Sequence, residues 1–505
     1  MSTSWLPKQW DCVADVVIAG FGGAGSCAAI ACHDKGVKPL LLEKAPFGGG
    51  NMSCAGGGSI IPNDVEKAIQ YFRALTVGMV DEDLLRTWAQ TTHDIPRWIE
   101  GLGGKVEFRE MEPTYPAFPG AGSIRPLMHM ARTPEQLAQG YYKTYGKDLF
   151  AFFECQVVKR GIEILYNTPV KRLVQNPDTK EILGVVAESD GKQIFVKATK
   201  GVILACGGFQ NNKEMLRNFG PYTWDLPLYP LGTPYNTGDG IIMASAVGAK
   251  LWHMTALELG NFAPKIPTEK FGAGVRLLRK MPKDSALIYI NKYGKRFMNE
   301  IGPQPVGALS HCKELFKVQH FDAERGEFPN IPFFMVFDES FRLKGKMVEE
   351  RSNWWNVKNL YQWSDDNSAE IEAGWFEKAD TIAELAKKIN VPPDALEETI
   401  CAFNEGCAQR ADELGRGKDW LRPIKTPPFY ASELCEPLIN TQGGPQHDAK
   451  SRVLDWNNKP IPRLYAAGEL GSAFYPYYQA SGNCPEAIAF GKLAGEEAAS
   501  LEPWE

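Results

Sequence analysis

The fold of this chain is indicated first by one stretch near its start, Asp15-Val16-Val17-Ile18-Ala19-Gly20-Phe21-Gly22-Gly23-Ala24-Gly25. The run Ala28-Ala29-Ile30-Ala31 follows this stretch. The β-branched run before Gly20 predicts a strand and the alanine-rich run predicts a helix, so the glycines occupy the turn between the two. Gly20 permits a tight turn, Gly22 lets the backbone approach a pyrophosphate, and Gly25 lets helix and strand pack closely. The start of the helix then faces the phosphate charge, which predicts a dinucleotide site.

A second strand supports this interpretation. Val37-Lys38-Pro39-Leu40-Leu41-Leu42-Glu43 is apolar apart from its lysine and its last residue. Strand, helix and strand within about 30 residues make one βαβ unit. Glu43 closes the second strand, at the position where an acidic side chain binds ribose hydroxyls.

The composition is that of an ordinary globular protein and excludes several functions. The chain has 505 residues and a net charge of −6, so it has room for two or more domains and offers no basic face to nucleic acid. Residues 1–11 lack the pattern of a secretory signal, and the apolar runs are too short to span a bilayer. The eleven cysteines occur as single residues, which predicts free thiols in a cytoplasmic protein rather than a metal or disulfide framework.

The pattern along the chain predicts an α/β fold with an interrupted first domain. A glycine-rich segment at 47–59 precedes helical periodicity from 65 to 102, and strands are expected between 161 and 205, with a hairpin at 182–196. We expect a Rossmann-like FAD-binding domain formed by residues 1–250 and 436–505, and an α+β capping domain formed by 251–435, where tryptophan and lysine become frequent.

Further glycine-rich turns suit a ligand that contacts the backbone. They are Gly48-Gly49-Gly50-Asn51 with Ser53 and Gly56-Gly57-Gly58, Ala205-Cys206-Gly207-Gly208, Asn236-Thr237-Gly238-Asp239-Gly240, and Leu464-Tyr465-Ala466-Ala467-Gly468-Glu469. Glycine at this density lets N–H groups reach a ligand.

In this order, and with Asn291–Glu300, Gly482-Asn483 and Phe490–Gly495, the motifs resemble the flavoprotein family of fumarate reductase and succinate dehydrogenase, which includes the 3-oxosteroid dehydrogenases. The resemblance covers nearly all of the chain and implies FAD, with a capping domain over the isoalloxazine. By this resemblance the expected FAD contacts are Gly20, Gly22, Gly23, Ala24, Gly25, Glu43, Lys44, Gly49, Gly50, Asn51, Ser53, Gly57, Gly58, Val170, Ala205, Gly207, Asn236, Thr237, Asp239, Gly468, Glu469, Ser481, Asn483, Ala487 and Ile488.

The chain departs from the fumarate reductases at three positions. Their His-Thr-Met-Gly-Gly motif is here Asn440-Thr441-Gln442-Gly443-Gly444, and their proton-donating arginine is here Gln304. Their second arginine, in the Asn-Arg-Leu-Gly-Gly-Asn segment, is here Gln479. Neutral side chains cannot make the bidentate, charge-assisted bonds that arginine makes to a dicarboxylate, so we expect that fumarate is not a substrate.

An aromatic run, Phe474-Tyr475-Pro476-Tyr477-Tyr478, suits a flat or cyclic, largely apolar substrate. The stretch from Tyr478 to Gly482 resembles the Tyr-Ala-Ser-Gly of the 3-oxosteroid dehydrogenases, in which the tyrosine and serine take part in proton removal beside the ketone, but Gln479 adds one residue. The proton-moving candidates are therefore Tyr478 and Ser481, followed by Tyr475, Tyr477 and Tyr289. Core packing is the alternative for each tyrosine.

Other conspicuous residues have structural explanations as well. His253, His311 and His447 have no motif partner, and Trp354-Trp355 suits packing within the cap or a place under it. Arg296 suits a structural salt bridge or a catalytic role.

These observations predict a dehydrogenase or ene-reductase for a cyclic ketone, steroid-like or smaller, that exchanges electrons with a diffusible carrier. A reductase of an unsaturated carboxylic acid, using cations such as Arg276 or Arg279, is a second hypothesis. A flavin protein that transfers electrons or binds ligands without catalysis is a third. The sequence leaves the direction, the exact substrate and the oligomeric state open.

Overall fold

Two large β-sheets organise the molecule. The structure, a computed structural model, describes residues 6–131, 145–220, 228–260, 262–265, 282–302, 317–348 and 363–504. Within these ranges the helices are α1 Gly23–Asp34, α2 Gly50–Cys54, α3 Val65–Leu75, α4 Glu82–His93, α5 Ile95–Gly101, α6 Tyr145–Lys159, α7 Lys213–Phe219, α8 Asp239–Ala246, α9 Glu339–Arg342, α10 Ser368–Glu372, α11 Ile382–Lys388, α12 Pro393–Gln409 and α13 Asn483–Ala499. None of them is long and apolar enough to cross a lipid bilayer.

The strands of the same ranges are also numbered along the chain. They are β1 Cys12–Ala19, β2 Pro39–Leu42, β3 Ser59–Ile60, β4 Val106–Glu110, β5 Pro126–Met130, β6 Glu163–Leu165, β7 Val170–Gln175, β8 Ile182–Ser189, β9 Lys192–Leu204, β10 Leu228–Pro230, β11 Leu251–Trp252, β12 Leu257–Leu259, β13 Ala263–Pro264, β14 Leu287–Asn291, β15 Phe333–Asp338, β16 Glu377–Ala379, β17 Phe429–Thr441, β18 Gly444–Pro445, β19 Arg452–Leu454 and β20 Pro460–Ala466.

The first sheet has eight strands and contains the predicted βαβ unit. Its central order is β19-β20-β9-β1-β2-β6, with β7 and β8 continuing from β9. β1 runs parallel to β2 on one side and to β9 on the other. The chain therefore leaves the carboxyl end of β1 between the carboxyl ends of these two strands. Ligands of open α/β sheets bind at such points, beyond the carboxyl ends of the strands. The predicted hairpin at 182–196 is also confirmed, as the antiparallel pair of β8 and β9.

Helix α13 packs closely on α1 because glycines face the neighbouring backbone. A Cβ atom at Gly491 would lie 2.4 Å from the carbonyl oxygen of Ala24, and one at Gly495 would lie 2.4 Å from that of Ala28. Both helices are lined with small buried residues, which allows this approach. The contact fixes the start of α13 relative to the glycine turn before α1.

The second sheet has seven strands and is built around β17. β10, β15, β12, β13 and β16 all pair with β17, and β14 pairs with β15. The strands of this sheet come from both sides of the predicted domain boundaries. β10 comes from before residue 250, and β17 continues through residues 435 and 436 into the segment expected to belong to the first domain.

A buried ion-pair network holds the loop after β14. Arg296 is 2% exposed in its side chain, and it bonds both carboxylate oxygens of Glu300 at 2.9 Å and also Asp412. Arg416 lies 3.6 Å from Glu300 and donates to the carbonyls of Leu287 and Ser285. The guanidinium groups of Arg296 and Arg416 therefore balance the carboxylates of Glu300 and Asp412. Arg296 thus makes a structural salt bridge, one of the two roles expected for it.

Candidate cofactor and substrate cavity

A cavity of about 390 Å³ opens at the carboxyl ends of β1, β2, β9 and β20. It extends from the first glycine turn to the start of α13. Most of the expected FAD contacts line it, namely Gly20, Gly22, Gly23, Ala24, Glu43, Lys44, Gly50, Asn51, Gly57, Gly58, Val170, Ala205, Gly207, Asn236, Asp239, Gly468, Glu469, Ser481, Asn483 and Ala487.

The glycine turn presents bare backbone to the cavity. Gly22 precedes the first residue of α1, and a Cβ there would meet nothing nearer than the carbonyl oxygen of Gly49, at 3.7 Å. The space beside Gly22 is thus open to a ligand. Gly25 faces the opposite way, because a Cβ there would lie 1.9 Å from the carbonyl oxygen of Gly20.

Five expected contacts lie outside the lining and shape it instead. Gly25 packs on Gly20, the N–H of Gly49 donates to the carbonyl of Phe21, and the Ser53 hydroxyl donates to the carbonyl of Gly50. Thr237 accepts from the Lys44 ammonium at 2.7 Å. Ile488 is a fully buried core residue of α13.

Glu43 and Lys44 lie side by side at the end of β2. The Glu43 carboxylate accepts from the N–H groups of Phe21 and Ala45, at 2.8 and 2.7 Å, while burial raises the pKa of this carboxyl. The Lys44 ammonium donates to Asp239 at 2.7 Å. Both side chains border the cavity, so they are held in place for a ribose or phosphate group.

A second buried acid, Glu469, lies where β20 ends. It accepts from the side-chain amides of Asn51 and Asn236 and from the N–H of Thr441. Burial raises the pKa of the Glu469 carboxyl to about 7 despite these donors. The group is therefore poised between its neutral and charged forms near physiological pH.

Tyr478 and Ser481 both reach the cavity, beside the start of α13. Tyr478 is 5% exposed, and its hydroxyl oxygen accepts from the N–H of Asn483 at 3.3 Å. Burial is the main reason that the pKa of the Tyr478 phenol lies well above its usual 10. Ser481 has a left-handed backbone (φ 65°), and its carbonyl accepts from the N–H of Ile60.

The other three candidate tyrosines do not line the cavity. Tyr475 stacks on His253 with ring centres 4.8 Å apart, and Tyr477 packs against Tyr115 at 5.1 Å. Tyr289 is 3% exposed within β14 of the second sheet. All three therefore make packing contacts, which was the alternative for each.

The replaced positions differ in where they lie. Asn440, on β17, is 6% exposed in the cavity wall, and its side-chain oxygen is buried with no hydrogen-bond partner in the described part of the molecule. Gln479 is fully buried away from the cavity, where it accepts from the Tyr71 hydroxyl and the N–H of Thr114.

Several residues singled out from the sequence fall outside the described ranges: Arg276, Arg279, Gln304, His311, Trp354 and Trp355. His253 and His447 are buried in the core, and burial lowers the pKa of His253 to about 4. Both histidines pack against the ring of Trp252.

Sequence reasoning missed part of the lining. Cys206, Ala467 and Cys484 lie next to predicted contacts in the chain, so motif adjacency could have found them. Tyr235 precedes the predicted contact Asn236 and could have been found in the same way, whereas Ile439 is brought in by the fold. The remaining lining residues outside the expected contacts are Ala19, Leu42, Met52, Ala55 and Ala480, together with Gly56 and Asn440, which the sequence had marked only as part of a glycine-rich turn and as a replaced position.

Charge is unevenly distributed over the described lining. Its charged side chains are Glu43, Lys44, Asp239 and Glu469, and it contains no arginine. Lys44 is paired with Asp239, so the lining offers no unpaired cation to a carboxylate. Tyr478, Ser481 and Asn440 are neutral members of this lining.

These features fit FAD. Bare backbone at Gly22 and a helix start beside it suit a pyrophosphate, and Glu43 suits a ribose. The unpartnered oxygen of Asn440 is a buried polar atom that a bound molecule would satisfy.

Comparisons with known proteins agree with this geometry. The sequence matches the family model described as FAD binding domain over residues 15–484. It is 26% identical over 96% of its length to a 3-oxosteroid 1-dehydrogenase of Mycolicibacterium smegmatis, 97% of which is covered. It is also 26% identical over 96% of its length to a probable fumarate reductase of Shewanella frigidimarina, 74% of which is covered.

A solved structure shares the fold. The 3-ketosteroid delta1-dehydrogenase of Sterolibacterium denitrificans superposes with a TM-score of 0.79 at 22% identity, covering 97% of this chain and 99% of that one.

Proposed function

Because this chain belongs to the FAD binding domain family, as an FAD-dependent oxidoreductase of the fumarate reductase and 3-ketosteroid dehydrogenase group, we propose that it acts on the CH–CH bond of a neutral cyclic ketone. It dehydrogenates such a ketone or reduces the double bond of the matching enone. The substrate is steroid-like or smaller.

The observation that carries the proposal is the composition of the cavity wall beside α13. A phenol (Tyr478), a hydroxyl (Ser481) and an amide (Asn440) all line the cavity. Carboxylate substrates are typically held by bidentate hydrogen bonds from arginine, and the described lining contains no arginine. Neutral donors match a ketone oxygen instead.

The proton chemistry follows from the state of Tyr478. When bound, FAD would supply the hydride-transfer chemistry at one carbon of the CH–CH bond, while the other carbon, next to the ketone, exchanges a proton. Since burial keeps the Tyr478 phenol protonated, this residue donates a proton to the carbon next to the ketone during enone reduction. In the opposite direction the same oxygen receives the proton, because both directions share one transition state.

Ser481 and α13 support the same site. Ser481 lines the same cavity as Tyr478, and in this proposal its hydroxyl orients the ketone by donating to the ketone oxygen. The start of α13 carries the positive end of the helix dipole, which stabilises negative charge developing on a bound ring system.

We further propose that residues 251–435 cover the cavity as a cap. β17 supports this arrangement because it belongs to the second sheet and also carries Ile439 and Asn440 into the cavity wall. A cover of this kind excludes water from the reacting carbon. Electrons then enter or leave through a diffusible carrier.

Rapid mixing of the pre-reduced protein with four compounds tests the substrate class. We expect a 3-oxo-4-ene steroid or 2-cyclohexenone to restore the FAD absorbance, and fumarate and crotonate to do so about 10²-fold more slowly or not at all. Faster reaction with the acids, weakening as salt is added, would instead identify a carboxylic acid reductase. If none of the four compounds reacts, the remaining hypothesis is a flavin protein that transfers electrons without catalysis.

A further inference from the structure

A reciprocal pair of side-chain amides joins the end of β17 to the start of α13. The side-chain nitrogen of Gln442 donates to Oδ1 of Asn483 at 3.2 Å, and the side-chain nitrogen of Asn483 donates to Oε1 of Gln442 at 2.9 Å. Asn483 belongs to the described cavity lining, whereas Gln442 is fully buried outside it. Because each amide is both donor and acceptor to the other, the pair fixes the orientation of both side chains.

The backbone at Gln442 is held on both sides. Its N–H donates to the carbonyl of Ala256 at 3.0 Å. The two following glycines are packed too closely to carry side chains, since a Cβ at Gly443 would lie 2.7 Å from the Cα of Met254. One at Gly444 would lie 2.4 Å from a backbone nitrogen. Gln442 is therefore a fixed point from which its amide reaches α13.

Asn483 connects this fixed point to the phenol in the cavity. It is the first residue of α13, so its N–H has no partner within the helix. This N–H donates to the hydroxyl oxygen of Tyr478 at 3.3 Å instead. A donor directed at a phenolic oxygen stabilises the negative charge that develops when the proton leaves. A change at Gln442 can thus reach Tyr478 through one intervening residue.

We propose that Gln442 is a positioning residue for the reaction described above, a role that rests on the proposed function. It holds Asn483 so that the N–H at the start of α13 meets the Tyr478 hydroxyl while that phenol exchanges its proton. No bond of Gln442 itself is made or broken in the reaction. Without the amide pair, the side chain of Asn483 loses both of these hydrogen bonds, and the helix start is free to shift away from the phenol.

Gln442→Met tests this role, because methionine is similar in length to glutamine but makes neither bond. With FAD bound, we expect kcat of ketone dehydrogenation to fall about 10-fold and KM to stay within about twofold of the parent. Steady-state kinetics well below the Tm of both proteins measure this division. Parental kcat overturns the proposal, even if the Tm falls, and so does a raised KM with unchanged kcat.

A double-mutant cycle shows whether Gln442 acts through Asn483. Asn483→Ala alone should also lower kcat. The Gln442→Met, Asn483→Ala double variant should be within about twofold of the slower single variant, because the second change removes a pair that is already broken. Losses that multiply, to about 10²-fold or more in the double variant, would mean independent action and overturn the proposal.

Gln156→Met is the matched control. Gln156 is a buried glutamine of α6 outside the described lining, and its side-chain oxygen accepts from Arg160 at 2.9 Å. Gln156→Met should keep the parental kcat. A fall equal to that of Gln442→Met would mean that losing any buried amide bond is sufficient, which overturns the positioning role.

Amide hydrogen exchange of the FAD-loaded protein needs no substrate. Gln442→Met should speed exchange about 10-fold or more in the peptide that covers residues 478–486, while α1 exchanges as in the parent. If no ketone reacts with the parental enzyme, the proposed function fails, but this measurement still decides whether Gln442 holds the start of α13. Unchanged exchange in residues 478–486 overturns the inference.

Discussion

At the scale of single residues, the function depends on how burial sets protonation. Tyr478 is a buried phenol that holds its proton, while Ser481 lies three positions further along the same turn. On the proposed function, the two hydroxyls make different contributions, with Tyr478 carrying the proton and Ser481 binding the ketone.

Changing each hydroxyl separately tests this division. Tyr478→Phe should lower the rate of ketone dehydrogenation about 10²-fold or more with FAD still bound, because the proton carrier is lost. Ser481→Ala should raise KM more than it lowers kcat, since it removes one neutral hydrogen bond. Stopped-flow and steady-state kinetics measure both effects. Tyr465→Phe is the control, since Tyr465 is a buried tyrosine outside the cavity; parental rates in both test variants would exclude both residues.

Glu436 gives a residue-scale prediction about stability. Burial raises the pKa of the Glu436 carboxyl from 4.5 to about 8 in the folded protein. Between these values the unfolded chain loses the proton that the folded chain keeps, so its stabilising contribution is lost as pH rises through this window. The loss amounts to roughly a few kcal/mol.

Glu436→Gln should therefore reduce the drop in Tm between about pH 5.5 and pH 8.5 by about 2 °C or more relative to the parent. Differential scanning calorimetry of both proteins measures it. Glu433→Gln, which changes a half-buried acid of the same strand paired with Lys265, should leave the drop nearly unchanged. Equal drops in parent and Glu436→Gln would show that Glu436 is not titrating in this range.

At the scale of elements, the turn between β1 and α1 separates two uses of glycine. A methyl group at Gly22 meets only ordinary contacts within the protein but enters the cavity, whereas one at Gly25 collides with the carbonyl of Gly20. Gly22→Ala should weaken FAD binding about 10-fold or more while the Tm of the FAD-free protein stays within about 2 °C of the parent.

Gly25→Ala should lower stability even without FAD, because it pushes α1 away from β1. Fluorescence titration with FAD and calorimetry of the FAD-free proteins distinguish the two. Gly101→Ala is the control, since open space surrounds that position. Tight FAD binding by Gly22→Ala would mean that the phosphates do not approach this turn.

The helices and strands also differ in how well the sequence predicts them. The βαβ unit and the hairpin at 182–196 were predictable because their patterns are local. The periodicity from 65 to 102 resolved into three helices, since Asp64 caps α3 and a turn with Val77 and Gly78 at positive φ ends it. The boundaries of the second sheet were not predictable, because distant strands meet on β17.

For the candidate site, the glycine and acid motifs predicted most of the residues that line the cavity, whereas only the fold separates the tyrosine that lines it from those that do not. Residues 474–482 form neither helix nor strand, so no period indicates which side chains share a face.

At the scale of the whole molecule, FAD should be bound without a covalent link. The described lining contains no histidine, and burial raises the pKa values of its two thiols, Cys206 and Cys484, to about 12, which keeps them weak nucleophiles. Acid precipitation of the yellow protein should release the flavin into the supernatant. Flavin that stays with the pellet would contradict this, and a protein that takes up no FAD on reconstitution would contradict the cofactor assignment.

The pairing of β17 also limits how this enzyme can diverge. Because β15 and β16 hold its first half and β13, β10 and β12 hold the rest, an insertion or deletion within the strand would shift the register and turn Asn440 out of the wall. Descendants with new substrate preferences must therefore keep the length of β17 and change by point replacement at positions such as 440, 478 and 481, while length variation accumulates in the loops.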